Sequence, residues 1–378
     1  MRTYLVAAVA FFLILGTGFA FVASIHAPAV IITNNTGVLT VISLNLTPGN
    51  GKVVILGPPS VGASTYQSAE EAVNVATSYL NVDKNLYNFT FTIKDNNISV
   101  SGPSGGTAFT LLTIAALDHK PLLNNFTVSG TISSNGEIGL IGGVYDKASA
   151  AARAHMTFFL LPNATSGGIL EELIYYVAQN VLEIPIVEVN NITQAIPYAF
   201  GTKAPVTYYL NFTQHYHLSS MPSFNLTCSN CNVSRFSQLV NYTLNFTSKE
   251  IESFPSNFSE AKQQMLGNQE RYEEIESKGY GYSAADFAFL QFLQAFVLAN
   301  KDNYSLSGAQ SVLANVSNYC SSLQTPLVNN KNYEYVVGGE FRQYLANQAL
   351  SEAGALINSS NTTDGYIEGL YYVAQADG

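Results

Sequence analysis

Residues 136–152 read GEIGLIGGVYDKASAAA. A short apolar run, Gly139 to Ile141, gives way to a Gly-Gly pair, and an alanine-rich segment follows with Lys147 at its start. These signals are a strand, a tight turn and a helix, the helix predicted over Lys147 to Ala154. The positive end of a helix disfavours an ammonium, and an apolar enclosure disfavours it further. Lys147 is therefore either a surface lysine paired with Asp146 or Glu137, or an amine held near neutrality as a base.

A base needs a nucleophile. Upstream, SGPSGGTAF (residues 101–109) sets Ser104 in a glycine-rich knot ahead of the apolar stretch Phe109 to Leu117. A serine hydroxyl attacks poorly until a neighbour takes its proton. A lysine can do so if burial lowers its pKa from about 10.4 toward 7 or 8, a shift worth roughly 3 to 5 kcal/mol. Two other chemistries compete for these glycines. Gly57-Pro-Pro-Ser-Val-Gly62-Ala63-Ser64 has phosphate-loop spacing, but Ala63 stands where the lysine belongs and two prolines remove N–H donors. Gly102-Pro103-Ser104-Gly105-Gly106 matches a nucleophile elbow, whose histidine would have to be His119 or His155. A plain turn at a helix N-terminus is the bland alternative to all three.

A chain of 378 residues predicts more than one folded unit. Strands are expected at Val38 to Asn45, Lys52 to Leu56, Asn88 to Ile93, Phe126 to Ile132, Gly139 to Ile141, Thr157 to Leu161 and Ile184 to Val189. Helices at Ser68 to Leu80, Gly106 to His119 and Ile169 to Ala178 alternate with them, which makes residues 31–205 an α/β (α+β) domain. A sequon-rich link is expected over 206–250 and a mainly α-helical domain over 251–378, with helices near Glu260 to Ser277, Ser283 to Asn300, Ser307 to Cys320, Gly339 to Ile357 and Thr363 to Ala376. Ser283 fits an N-cap.

Residues 1–30 carry one early arginine and an uncharged run long enough to span a bilayer, so a signal peptide or membrane anchor is expected, with the rest of the chain outside. Seventeen Asn-x-Ser/Thr triplets fit a glycosylated exterior. A net charge of −10 disfavours nucleic acid or anionic lipid as a partner. Outside the cell, Cys228, Cys231 and Cys320 are disulfide candidates. With His215 and His217, Cys228 and Cys231 also form a weaker zinc pattern, H-x-H…C-x-x-C.

The order of several motifs resembles the proteolytic domain of Lon proteases. The family's Pro-Ser-Ala-Gly loop is similar to Pro103-Ser104-Gly105-Gly106, and its Ile-Gly-Gly-x-x-x-Lys to Ile141 through Lys147. Its Thr-Gly-Glu-Ile resembles Ser129-Gly130-Thr131-Ile132, and its apolar strand ending in proline resembles Phe158 to Pro162. Gly57 to Gly62 with Ser68-Ala69 also looks like the family's upstream glycine segment. The resemblance implies a serine peptidase in which Ser104 attacks, Lys147 is base and then acid, and Ser129 orients the lysine. Gly102, Pro103, Gly105 and Gly106 would then shape the loop and its oxyanion donors. No cofactor or metal is implied, the substrate would be a peptide or unfolded protein, and self-association is implied. Two positions depart from the pattern: Ser101 and Thr131 stand where the family often has acids. The chain has no complete Walker sequence, so the match looks closest to exported archaeal relatives acting without ATP. A cell-surface binding protein of the same fold is the rival, and an α/β-hydrolase-type esterase a more distant one.

Overall fold

Period-two alternation builds the centre of the molecule. In the computed structural model, which describes residues 23–31, 36–94, 99–212, 234–324, 327 and 333–378, β1 (Ala23–Ile31) and β2 (Thr36–Pro48) pair antiparallel. Their inward side chains, among them Ile25, Ile42 and Leu44, are buried together with Phe89, Phe91 and Ile93 of β4 (Tyr87–Ile93). With β3 (Val53–Leu56), β5 (Phe126–Val128), β8 (Phe158–Pro162) and β9 (Ile186–Val189) they form one seven-stranded sheet of order β3-β4-β2-β1-β5-β8-β9. The β1, β5, β8 and β9 half is parallel. Parallel strands are covered on both faces, and β8 shows it: Phe158 and Leu160 join one core, Phe159 and Leu161 the other.

The first face carries α1 (Ala63–Leu80), α2 (Gly106–Leu117) and α5 (Ile192–Ala199). The second carries α3 (Val144–Arg153) and α4 (Ile169–Leu182). Helix α3 lies close on β2 because Gly37 has no side chain: a Cβ there would stand 1.8 Å from the Asp146 carbonyl oxygen. Arg153 ties the far end of α3 to the same strand, donating to the Gly37 carbonyl at 2.6 Å.

The helical region comprises α6 (Ser234–Glu252), α7 (Ser259–Ser277), α8 (Gly281–Ala299), α9 (Leu306–Ser322), α10 (Tyr333–Ser359) and α11 (Thr363–Asp377). Its Ile251, Phe258, Met265, Val297 and Ile367 share one hydrophobic cluster with α3, α4, Phe159 and Ile186, so the two regions meet through a common core. Helix α8 is long and apolar enough to cross a membrane, yet much of it is buried against α6, α7 and α11.

Several sequence expectations change. Residues 23–30, assigned to the anchor, form β1 near the middle of the sheet; residues 1–22 lie outside the description. The expected strand Phe126 to Ile132 breaks at Ser129-Gly130 into β5 and β6 (Thr131–Ile132), the latter pairing with β7 (Ile138–Gly139) in a separate ribbon. Within the expected link, Tyr208, Leu210 and Phe212 are buried and α6 begins at Ser234, while residues 213–233 lie outside the described residues. Ser283 is not a cap, since α8 starts at Gly281 with Tyr280 at its N-cap position. The histidines and two cysteines of the zinc pattern, His215, His217, Cys228 and Cys231, lie outside the described residues. Cys320 is a buried free thiol, its Sγ 3.6 Å from the Ala376 carbonyl oxygen, and not a disulfide partner here.

Overpacking at a backbone contact destabilises by about 1–3 kcal/mol. Gly37→Val is expected to lower the free energy of unfolding in urea by that order, whereas Gly267→Ala, a helical site with open space around it, raises it slightly. Equal unfolding curves for Gly37→Val and the unaltered chain would sink this account of how α3 is seated.

Candidate active site

Strand β5 ends at Val128, and the chain then turns toward the N-termini of two helices. Ser129, buried at the strand end, donates its hydroxyl to the Ser104 carbonyl at 3.2 Å, and the Gly130 N–H donates to the same oxygen at 2.9 Å. Ser104 sits just before α2, half-buried, in a loop where Gly102 adopts φ +106, a left-handed value that favours glycine. Three hydroxyls from α1 hold this loop by its backbone. Ser64 Oγ accepts from the Gly102 N–H at 3.1 Å, Thr65 donates to the Gly102 carbonyl at 3.0 Å, and Ser68 donates to the Pro103 carbonyl at 3.0 Å. The glycine segment with phosphate-loop spacing thus leads into a scaffold helix, and Val61 bridges to Val100 at the root of the Ser104 loop.

The loop amides are not equivalent. Pro103 has none, that of Gly102 is taken by Ser64, and that of Gly106 donates to the Pro103 carbonyl at 3.0 Å. Among the described residues no protein acceptor is seen for the Ser104 and Gly105 N–H groups, which leaves these two free to meet a substrate oxygen.

Lys147 approaches from the other side on the first turn of α3. It is only 5% exposed, and its Nζ donates to Ser129 Oγ at 3.5 Å. No hydrogen bond joins that nitrogen to the Ser104 hydroxyl; both residues instead line one cleft of about 1190 Å³, and Ser129 bonds to each. Burial brings the amine down from 10.5 to about 8, against the opposing pull of the Asp364 carboxylate. Asp364, from α11, is itself raised to about 6 by burial, despite bonds from the Tyr145 and Val144 N–H groups. Glu171 of α4 also lines the cleft; burial and then Asp364 push it up to about 7, and its Oε1 is buried without a hydrogen-bond partner.

Other expected residues fall elsewhere. His119 and His155 are exposed at the turns ending α2 and α3 and do not line the cleft, so the nucleophile-elbow reading finds no base there. Asn125 is exposed at the opposite end of β5 from Ser129, so a sugar there would clear the cleft. Among the described residues no group of three or more His, Cys, Asp or Glu could hold a metal ion. Sequence reading missed Ser64, Thr65, Glu171, Asp146 as a cap, and Asp364. The run Asn361-Thr362-Thr363-Asp364 does signal a helix start, but nothing in it says that the carboxylate serves a different helix.

A glycine-rich serine loop and a buried lysine thus line one cleft at one end of the mixed, largely parallel sheet of an α/β domain. Residues 26–200, somewhat under half of the chain, match the model of the Lon protease (S16) C-terminal proteolytic domain. Lon protease 2 of Herpetosiphon aurantiacus is 28% identical over 181 residues, 46% of this chain and 21% of that protein. Lon protease of Clostridioides difficile is 29% identical over 132 residues, 33% of this chain and 16% of its own. Lon protease of Mesomycoplasma hyopneumoniae is 25% identical over 165 residues, 41% and 17% of the two chains. The matched segments thus span about a fifth or less of these relatives' lengths.

The enclosed amine makes a prediction about stability. Between pH 8 and 10.5 the unfolded chain holds the Lys147 proton and the folded chain does not, so stability rises with pH through that window. Lys147→Met should therefore be more stable than the unaltered chain at pH 7, by up to about 3 kcal/mol, with the advantage fading as pH approaches 10.5. A difference that stays constant across that range, measured by urea unfolding, would mean the amine is solvated.

Proposed function

We propose that this chain is an ATP-independent serine peptidase that cleaves peptides or unfolded protein segments on the outer side of the cell membrane. The observation that carries the reading is Lys147: a buried lysine, its pKa near 8, lining the same cleft as a serine on a glycine turn at a helix N-terminus. Ser104 Oγ adds to the substrate carbonyl carbon and passes its proton to Lys147 Nζ. The carbonyl oxygen gathers charge beside the Ser104 and Gly105 N–H groups, a contribution of about 10²–10³ in rate per donor in such sites. Lys147 then protonates the leaving amine, and water releases the acyl group by the same steps in reverse. Ser129 holds the amine between turnovers. The general-base contact from Lys147 to Ser104 closes when substrate seats, as such contacts commonly do.

Independence from ATP is part of the proposal, and an assay run without nucleotide tests it. Placement outside rests on the apolar N-terminal run and the density of sequons. Since β1 begins at Ala23 inside the sheet, a leader cut beyond that residue would remove part of a near-central strand. That favours a retained anchor or a cut no later than Ala23.

An unstructured fluorogenic protein, incubated with purified full-length chain without nucleotide, tests the activity. Ser104→Ala and Lys147→Ala should each lose about 10²–10⁴-fold in kcat, and the unaltered chain should show kcat rising with pH around a midpoint near 8. Hydrolysis equal in all three would remove the pair from the mechanism. No turnover by any on a panel of unfolded substrates would favour the rival reading, a binding protein on the same fold.

A further inference from the structure

The helix that carries Lys147 and the last helix of the chain meet at their N-termini, and each is capped by a carboxylate of the other. Asp364, in the first turn of α11, accepts from the Val144 N–H at 2.6 Å and the Tyr145 N–H at 2.8 Å, residues about 220 positions away in the chain. In return Asp146 of α3 accepts from the Thr363 N–H at 2.9 Å and the Thr363 hydroxyl at 2.7 Å. Helix α11 already has a cap of its own, Thr362 Oγ1 accepting from the Gly365 N–H at 3.3 Å. Helix α3 has none: its N-cap position is Gly143, which has no side chain to offer. The side chain that caps α3 thus comes from outside the Lon-type segment.

We propose that Asp364 is a positioning residue for Lys147, and that through it the helical C-terminal region completes the catalytic site of the Lon-type domain. This rests on the peptidase reading of Ser104 and Lys147. The geometric part is the two-oxygen grip on Val144 and Tyr145, which fixes the first turn of α3 and so the point from which the lysine side chain leaves the helix. Asp364 also lines the cleft with Ser104 and Lys147, where a carboxylate acts on the amine by charge as a hydroxyl or amide cap would not. The anion opposes the desolvation of the amine and so raises the pH at which Lys147 becomes a free base.

Other titratable groups lie on α3 and on the elements packed against it. Helix α3 itself brings Tyr145, Asp146 and Arg153; α4 brings Glu171, Glu172, Tyr175 and Tyr176; α11 adds Glu368, Tyr366, Tyr371, Tyr372 and Asp377; β1 brings His26, while β2 and β8 carry no titratable side chain. Asp364 is the one of these that bonds to the backbone of the lysine's own first turn.

The test reads the lysine directly. In full-length Ser104→Ala protein with isotope-labelled lysine, the Lys147 resonance, identified by its loss in Lys147→Met, is followed against pH by NMR. Asp364→Asn is expected to lower its midpoint by about one pH unit, because removing the anion leaves desolvation unopposed. In chain that keeps Ser104, the rising limb of kcat should move by the same amount while KM changes less than about twofold. Thr363→Val, which removes one bond of the reciprocal cap without removing the anion, should lower the melting temperature and leave the midpoint in place. An unmoved midpoint in folded Asp364→Asn overturns the proposal; if that variant does not fold, the small neutral Asp364→Ser carries the same reading. A midpoint that shifts in a protein with no turnover removes the peptidase reading and leaves the control of Lys147 by Asp364 standing.

Discussion

One enclosed amine sets the conditions that the rest of this molecule meets. Taking a lysine out of water penalises its charged form by several kcal/mol unless a counter-charge sits close with its own bonds satisfied. Lys147 is placed at the start of a helix, where the backbone dipole adds to the penalty. The helix itself must lie against the sheet, which Gly37 permits, and its open end must be sealed, which Asp364 does with both carboxylate oxygens. The outcome is an amine lowered to about 8, with the anion holding it above the value that burial alone would set. Burial and counter-charge set opposite limits, and their balance leaves a base usable close to neutral pH.

The Ser104 side obeys a different constraint, that of a turn which would otherwise be free to move. Glycine makes the turn of residues 101–106 possible but contributes no side-chain contacts of its own. Rigidity is supplied from outside the loop, by the Ser64, Thr65 and Ser68 hydroxyls on one side and by Ser129 and Gly130 on the other. All five act on backbone atoms, which leaves the Ser104 side chain unencumbered. Ser129 is common to both halves, since it bonds to the serine's carbonyl and to the lysine's amine.

What the sequence discloses follows how local each signal is. Strands β2, β4, β8 and β9 announce themselves by apolar runs, and the helices α2 and α4 by their length between glycine signals, because these depend on near neighbours only. Order and spacing among other motifs single out Ser104 and Lys147 together, and the structure places both along one cleft. Helix α6 was not legible: Ser234 to Glu252 is rich in Ser, Thr and Asn, which read as a link, and its helical state depends on Val240, Leu244 and Ile251 meeting apolar partners far along the chain. Helix α5 contains Pro197, a helix-breaking signal overridden at its last turn by the burial of Tyr198 and Ala199. The break at Ser129-Gly130 was hidden because the residues on both sides have the same apolar texture. Asp364 is the extreme case, a cap whose recipient helix begins 220 positions earlier.

The reach of Asp364 depends in turn on how firmly α11 is held. Ile367, one turn beyond the aspartate, is buried in the core shared with α3 and α4. Tyr366, Leu370, Val373 and Ala374 are buried in the separate core of α8, α9 and α10. One helix therefore belongs to two cores, and its N-terminus is fixed by both. A surface carboxylate near Lys147 would be screened and mobile, and its pull on the amine would vary with salt and rotamer. Anchored this way, the carboxylate has one position, with both oxygens bonded to α3, and the amine feels a constant field. The helical region thereby differs from a tethered accessory: its packing is transmitted, through a single first turn, to the protonation state of the lysine.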